Sequence, residues 1–284
     1  MTESEDVYPM NTNPRGQALI INIQEFINEP LKKRHGSEMD MVNLTKVLKD
    51  YLGFHVTQMT NLKKKDFLSA LDNFAQDTAH LSGSMAVIAI FSHGTWNEGS
   101  TDGYIVPSDH LTTGYIRVED IYRKFNNKNC PYLVHKPKWF IFQCCRGHET
   151  DFGTFTPGTD SEMQTDATII SNPEQIQTFL ILPTYHDFLI SHSTLPGFTS
   201  SRSPQEGSWF IQTLLEVFTK YVPVLHTREL VWLLRKVGRK LGEKTRGNNE
   251  KQTCETRHFG LKEIYFDNWK EENDVIACAE SCPW

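Results

Sequence analysis

The chain has 284 residues, 29 Lys and Arg against 35 Asp and Glu, a formal charge of −6, and 38% hydrophobic and 11% aromatic residues. A chain of this length buries about 75% of its unfolded surface and folds without disulfides or metal, and its apolar content excludes an acidic disordered tail. The longest apolar run, Met85 to Phe91, falls far short of the ~20 residues that cross a bilayer, and the opening MTESEDVYPMNTNPRG lacks a basic start and an apolar stretch, so neither a membrane nor a signal peptide is expected.

Basic residues form only short clusters, Lys32 to Arg34 and Lys63 to Lys65, which read as solvated charge, so nucleic acid is not an expected partner. The cysteines are Cys130, Cys144, Cys145, Cys254, Cys278 and Cys282. Without a secretory signal they are expected to be reduced, which implies a cytoplasmic location. Only Cys278 and Cys282 approach metal-ligand spacing, with no second pair to complete a site, so neither a metal nor another cofactor is expected. The closing Cys282-Pro283-Trp284 is one residue short of a prenylation box.

In chain order, Gln17 to Ile23, Phe54 to Met59, Met85 to Phe91, Lys138 to Gln143, Asp187 to His192 and His258 to Phe266 are short runs rich in Ile, Val and Phe and read as strands. Helical spacing links Met41, Leu44, Leu48 and Tyr51, then Phe67, Leu71, Phe74 and Thr78, then Val118, Ile121, Tyr122 and Phe125. Ser37 with Asp40 resembles a capping box at the start of the first. Two later helices carry Ile211, Leu214, Leu215 and Phe218, and Leu230, Leu233, Leu234, Val237 and Leu241. This alternation predicts an α/β fold, a central and mostly parallel sheet of about six strands flanked by helices. The stretch from Glu149 to Gln177 is too polar to pack and long for an internal connection, so it reads as a linker or a processed loop. Asn268 to Trp284 reads as a loosely held tail.

Two strands run into chemistry. Lys138 to Gln143 leads into Cys144-Cys145-Arg146-Gly147, and Met85 to Phe91 leads into Ser92-His93-Gly94. If these strands are parallel neighbours, their tips emerge at one sheet edge and a thiol meets an imidazole. Each residue alone has a structural explanation, Cys as a small core residue and His as a turn residue. Together they suit nucleophilic catalysis, because an imidazole can take the thiol proton and later give one to a leaving amine. Gly94, without a Cβ, suits close approach to a reacting carbonyl.

At these residues the chain resembles the caspases, whose signature is Q-A-C-[RQG]-G with a His about 50 residues upstream. YPMNTNPRGQALIIN, RHGSEMDMVNL, FSHG, KPKWFIFQCCRG, GSWFIQTL and HFGLKEIYF carry the resemblance in order from about Tyr8 to Asp267. It implies a cysteine endopeptidase that cuts after Asp, with Cys145 as nucleophile, His93 as acid and base, and the amides of Gly94 and Cys145 as oxyanion donors. It implies that Arg34, Arg202 and Gln143 grip the substrate carboxylate, a task suited to guanidinium forks, and that Trp209 lies beside the outer subsites. It further implies a zymogen, a homodimer of processed large and small subunits, protein substrates, a role in apoptosis and regulation by protein inhibitors of caspases.

The chain also departs from the pattern. Cys144 stands where the family usually has Ala, Thr199 and Ser201 stand where effector members carry aromatics, and the loop from His93 to Val106 has an uncommon form in which Trp96 has no derived role. The expected division is a short prodomain over 1–16, a large catalytic subunit over 17–166 and a small subunit over 167–284. About 16 residues before the first strand are too few for a recruitment domain, so activation by an upstream protease is expected. Of the linker carboxylates, Asp151 lies too near Cys145, Asp160 follows Pro157-Gly158-Thr159, and Asp166 follows Met163-Gln164-Thr165 before small Ala167, which makes Asp166 the preferred processing site and Asp160 the second. A non-catalytic regulator that binds an active caspase or an adaptor is the alternative. A preference for basic substrates is disfavoured by the two pocket arginines.

Overall fold

The computed structural model describes residues 6–27, 31–97, 99–152, 183–223, 228–247 and 249–266. Its central sheet contains β1 (Gly16–Asn22), β2 (His55–Thr60), β3 (Met85–Phe91), β4 (Lys138–Gln143), β5 (Phe188–His192) and β6 (Glu255–Phe259). The order is β6-β5-β4-β3-β1-β2, and every pair is parallel except β5 with β6. This is the mostly parallel six-stranded α/β sheet that the alternation of elements predicts.

Every residue of β3 and β4 is buried, as inner parallel strands require when both faces are covered. Because side chains alternate along a strand, Val87, Ala89, Phe91, Trp139 and Ile141 enter one core and Ala86, Ile88, Ile90, Phe140 and Phe142 the other. Three helices close the first core: α1 (Ser37–Lys46), α4 (Trp209–Tyr221) and α5 (Leu230–Glu243). The second lies under α2 (Lys64–Ala75) and α3 (Val118–Lys124). Ser208 caps α4 by accepting the Ile211 N–H, and Glu229 caps α5 through the Trp232 N–H, so both helices start where a side chain satisfies an otherwise orphaned donor.

Two local expectations are corrected. The last strand spans Glu255–Phe259, not His258 to Phe266. Gly260, at φ +55°, turns the chain over the His186 ring, where a Cβ would lie 2.3 Å from ring atoms, and the chain beyond makes only single bridges, Glu263 to Val7 and Tyr265 to Glu229. The capping box at Ser37 and Asp40 does not form. The residue before α1 is Gly36, at φ +85°, with no side-chain cap; Ser37 instead accepts a hydrogen bond from Asn22, and Asp40 accepts two from Ser208.

The register sets the site. Asn22 lies opposite Phe91, and Phe91 opposite Gln143, so β1, β3 and β4 end level at the carboxyl edge of the sheet, where open α/β folds collect functional loops. Most of the polar stretch, with Asp160 and Asp166, and the two cysteines Cys278 and Cys282 lie outside the described residues.

Candidate active site

Ser92, one residue beyond β3, donates its N–H to the Gln143 carbonyl at the end of β4 (3.3 Å), and Val106 donates to the His93 carbonyl (3.1 Å). The first bond ties the His93 turn to the Cys144-Cys145 turn, and the second closes the loop from His93 to Val106 on itself. The fit needs glycine: a Cβ on Gly94 would stand 2.4 Å from the Cys145 carbonyl oxygen and 3.0 Å from the Cys144 Cβ. A cleft of about 340 Å³ opens here, lined by Arg34, His93, Gln143, Cys144, Cys145 and Arg202 among others. The juxtaposition of the two strand tips, conditional in the sequence, is thus present.

The two adjacent thiols differ in setting. Cys144 is buried at 4% exposure, and burial pushes its thiol up to about 12, which keeps it protonated and inert near neutral pH. Cys145 is half-buried at the cleft, and its Sγ accepts the Ser200 N–H at 3.4 Å. His93 Nε2 lies 2.9 Å from the Lys32 carbonyl. A carbonyl only accepts, so that nitrogen carries a proton, and in the neutral imidazole the basic nitrogen is Nδ1. The Phe26 ring, 5.0 Å away between centroids, packs against the imidazole.

Arg34 and Arg202 approach from opposite ends of the chain. Arg34, fully buried, donates to the side chain of Asn22, the last residue of β1, and to the Ile23 carbonyl just after it (both 3.0 Å), and Arg202 donates to the His35 carbonyl (2.9 Å). Among the described residues neither forms a salt bridge. Burial first, and then the Arg202 cation, push the Arg34 guanidinium down to about 9; burial likewise lowers Arg202. Asp40 stands behind them. Its carboxyl rises to about 6 through burial, opposed by its Ser208 hydrogen bonds and by both arginines. The cleft therefore presents one buried cation, Arg34, and one half-buried cation, Arg202, neither balanced by a direct ion pair, a setting that favours an anionic ligand.

Gln143 donates its amide to Ser200 Oγ (2.8 Å), which also takes a hydrogen bond from buried Gln252 (3.2 Å). Gln252 further binds the Ser201 N–H (2.8 Å) and the Ser193 carbonyl (2.7 Å), so it fastens the loop that carries Arg202. Ser200, Gln252 and Asp40 were not identified as site residues from the sequence. Asp40 lay within the quoted RHGSEMD motif, whereas nothing in the sequence around Gln252 marks it. Trp209 is not among the residues lining the cleft; it begins α4 and packs against the core.

Behind the Cys144-Cys145 turn lies a second charged group. Asp102, His192 and Glu255 bring potential ligand atoms within 4.8 Å of one another, but Arg146 and Arg257 already pair with the carboxylates. The group is an ion-pair cluster rather than a metal centre.

The Caspase domain profile matches residues 15–265. The chain is 36% identical to caspase drICE of Drosophila melanogaster over 207 residues, covering 73% of this chain and 55% of that protein, and 37% identical to caspase-1 of Spodoptera frugiperda over 212 residues, covering 74% and 62%. It spans little more than half the length of these relatives. With caspase-3 of Mus musculus it shares 32% identity over 236 residues, covering 82% and 75%. The crystal structure of caspase-1 from Spodoptera frugiperda superposes with a TM-score of 0.78 at 27% identity, over 95% of this chain and 96% of that one. The sheet order, the paired turns and these similarities lead to one assignment: the chain belongs to the caspase family.

Proposed function

We propose that the protein is a cysteine endopeptidase that hydrolyses the peptide bond following an aspartate. The observation that carries this reading is the presence, in one cleft, of the Cys145 thiol, the His93 imidazole, the buried Arg34 guanidinium and the half-buried Arg202 guanidinium, neither of which forms a salt bridge among the described residues. The substrate carboxylate lies between Arg34 and Arg202, with Gln143 completing the pocket; a neutral side chain there would leave both cations unpaired. His93 takes the Cys145 proton at Nδ1, and the sulfur attacks the scissile carbonyl. The negative charge on its oxygen is met by the amides of Gly94 and Cys145, each such donor being worth about 3 kcal/mol. The tetrahedral intermediate collapses as His93 gives the proton to the leaving amine. Water, deprotonated by His93, then cleaves the thioester and regenerates the thiol.

In this reading the chain is made as a zymogen, is cut after Asp166 with Asp160 as second choice, and works as a homodimer of fragments 17–166 and 167–284. Its partners are protein substrates and protein inhibitors of caspases, its setting the cytoplasm, and its role apoptotic. No helix among the described residues is long and apolar enough to cross a membrane. A peptide library with each residue at the cleavage position tests the reading: wild type should cut after Asp, Cys145→Ala should not cut at all, and Cys144→Ala should retain turnover within about threefold. Turnover that survives Cys145→Ala but not Cys144→Ala would overturn the assignment of the nucleophile.

A further inference from the structure

The uncommon loop between His93 and Val106 contains a buried carboxylate that the reaction as described does not use. Asp102 is 4% exposed and Arg146, the residue after Cys145, only 1%. Arg146 Nη2 donates to Asp102 Oδ1 at 3.1 Å and to the Thr101 carbonyl at 3.1 Å, while its Nη1 pairs with Glu255 and reaches the Thr194 carbonyl at 3.3 Å. Arg257, on β6, pairs with the same Asp102 oxygen. His192 completes the cluster. It stacks on Phe142 at 4.9 Å, lies 3.3 Å from the Tyr122 hydroxyl and 3.8 Å from Asp102, and burial together with both arginines favours its neutral form.

The charges within this cluster are two guanidiniums, Arg146 and Arg257, against two carboxylates, Asp102 and Glu255. Asp102 is the only one of the four that bonds to both arginines through a fully buried carboxylate, and it comes from the loop that leaves His93-Gly94. Removing its charge would leave the buried Arg146 and the partly exposed Arg257 sharing one partly exposed Glu255, a loss that the low-dielectric surroundings of Arg146 penalise strongly. Arg146 cannot then be expected to keep its place, and Cys145 is joined to it by one peptide bond.

We propose that Asp102 is a positioning residue: by clamping Arg146 it fixes the Cys145 thiol and amide relative to the His93 turn, and through Arg257 it ties both turns to the strands that follow segment 153–182. This rests on the protease reading above.

The test compares full-length wild type, Asp102→Asn and Asp102→Glu in three measurements: kcat and KM on a fluorogenic peptide cut after Asp, melting temperature, and the pH midpoint for alkylation of Cys145 by iodoacetamide. Asp102→Asn keeps the shape and removes the charge. It should lower kcat at least tenfold with KM within twofold, and shift the alkylation midpoint downward, since uncompensated Arg146 and Arg257 cations favour the thiolate. Asp102→Glu should restore the midpoint and part of kcat. An unchanged midpoint, with either normal kcat or a loss matched by a fall in melting temperature, overturns the proposal. If Asp102→Asn does not fold, the double variant Asp102→Asn with Arg257→Gln, which removes one cation along with the anion and so keeps the charge balance, is measured in its place for kcat and melting temperature: a kcat at least tenfold lower without a matching fall in melting temperature supports the clamp, and a normal kcat, or a loss matched by a fall in melting temperature, overturns it. Absence of any Asp-directed cleavage by wild type would defeat the protease reading alone, because the alkylation midpoint still reports whether Asp102 governs the thiol.

Discussion

At the residue scale, the cleft separates groups of the same type by their surroundings. Cys144 and Cys145 are neighbours, yet burial holds the first thiol near 12 while the second faces the cleft. In the proposed reading Arg34 and Arg202 share the task of anion binding, and replacing either by Ala should lower hydrolysis after Asp at least tenfold, since a charge-assisted hydrogen bond is worth about 1.5–3 kcal/mol. The loss should be specific to charge: the ratio of Asp to Asn cleavage, measured on matched peptides, should fall in both variants. Asp40 predicts a pH dependence of stability. Burial raises its carboxyl from 3.8 to about 6, so between those values the folded chain holds a proton that the unfolded chain releases. Its contribution is fully present below about 3.8 and is lost as pH rises through about 6. Relative to Asp40→Asn, wild type should therefore lose on the order of 3 kcal/mol between about pH 4 and pH 7. Urea unfolding of the pair across that range measures it, and a constant difference would contradict the raised value.

At the element scale, the site depends on two strand-to-loop turns packed backbone against backbone. A methyl group on Gly94 would meet the Cys145 carbonyl oxygen at 2.4 Å, and because the methyl is fixed directly to one main chain and the oxygen belongs to the other, the turns must part. Gly94→Ala should lower kcat/KM by about a hundredfold while changing the far-ultraviolet dichroism little, as expected when reacting groups are displaced by about 1 Å. Near-wild-type turnover in that variant would remove the close approach from the argument. The same scale explains the two failed local expectations. Ser37 and Asp40 have the spacing of a capping box, but Asn22 and Ser208 supply better-placed partners from outside the helix. Glu255 and Arg257 do not look like strand residues, yet they lie on β6 and pair with the buried Asp102 and Arg146, which an apolar-run criterion cannot foresee.

At the scale of the whole molecule, segment 153–182 joins halves that remain in one sheet. β4 precedes it, β5 follows it, and the two pair in parallel from Lys138 with Phe188 to Phe142 with His192. Both halves also share the core around Trp139, Leu189 and Phe218. A chain cut within that segment should therefore elute from a sizing column as one species and resolve into two fragments only under denaturing conditions. Asp166→Ala should slow formation of the fragments, and N-terminal sequencing of the smaller one should read from Ala167; a start at Ser161 would move the site to Asp160. Cutting there would give the Arg202 loop an independent chain end, which is how processing could alter substrate access without touching a catalytic atom.

The sequence alone determined the α/β class, five of the six strand positions to within one residue, and the two motifs that end at the cleft, because hydrophobic periodicity and strand-end glycines are local signals that survive without the fold. Family resemblance then named Arg34 and Arg202, which no spacing rule connects across the chain. Tertiary structure decided the rest. It buried Cys144 and left Cys145 at the cleft, turned Asp40 from a presumed cap into a partner of Ser208, set Gln252 behind the Arg202 loop and drew Asp102 onto Arg146. These are burials of polar groups, whose energy depends on partners distant in sequence and on the water they exclude. A chain read residue by residue carries neither quantity until the sheet has brought its ends together.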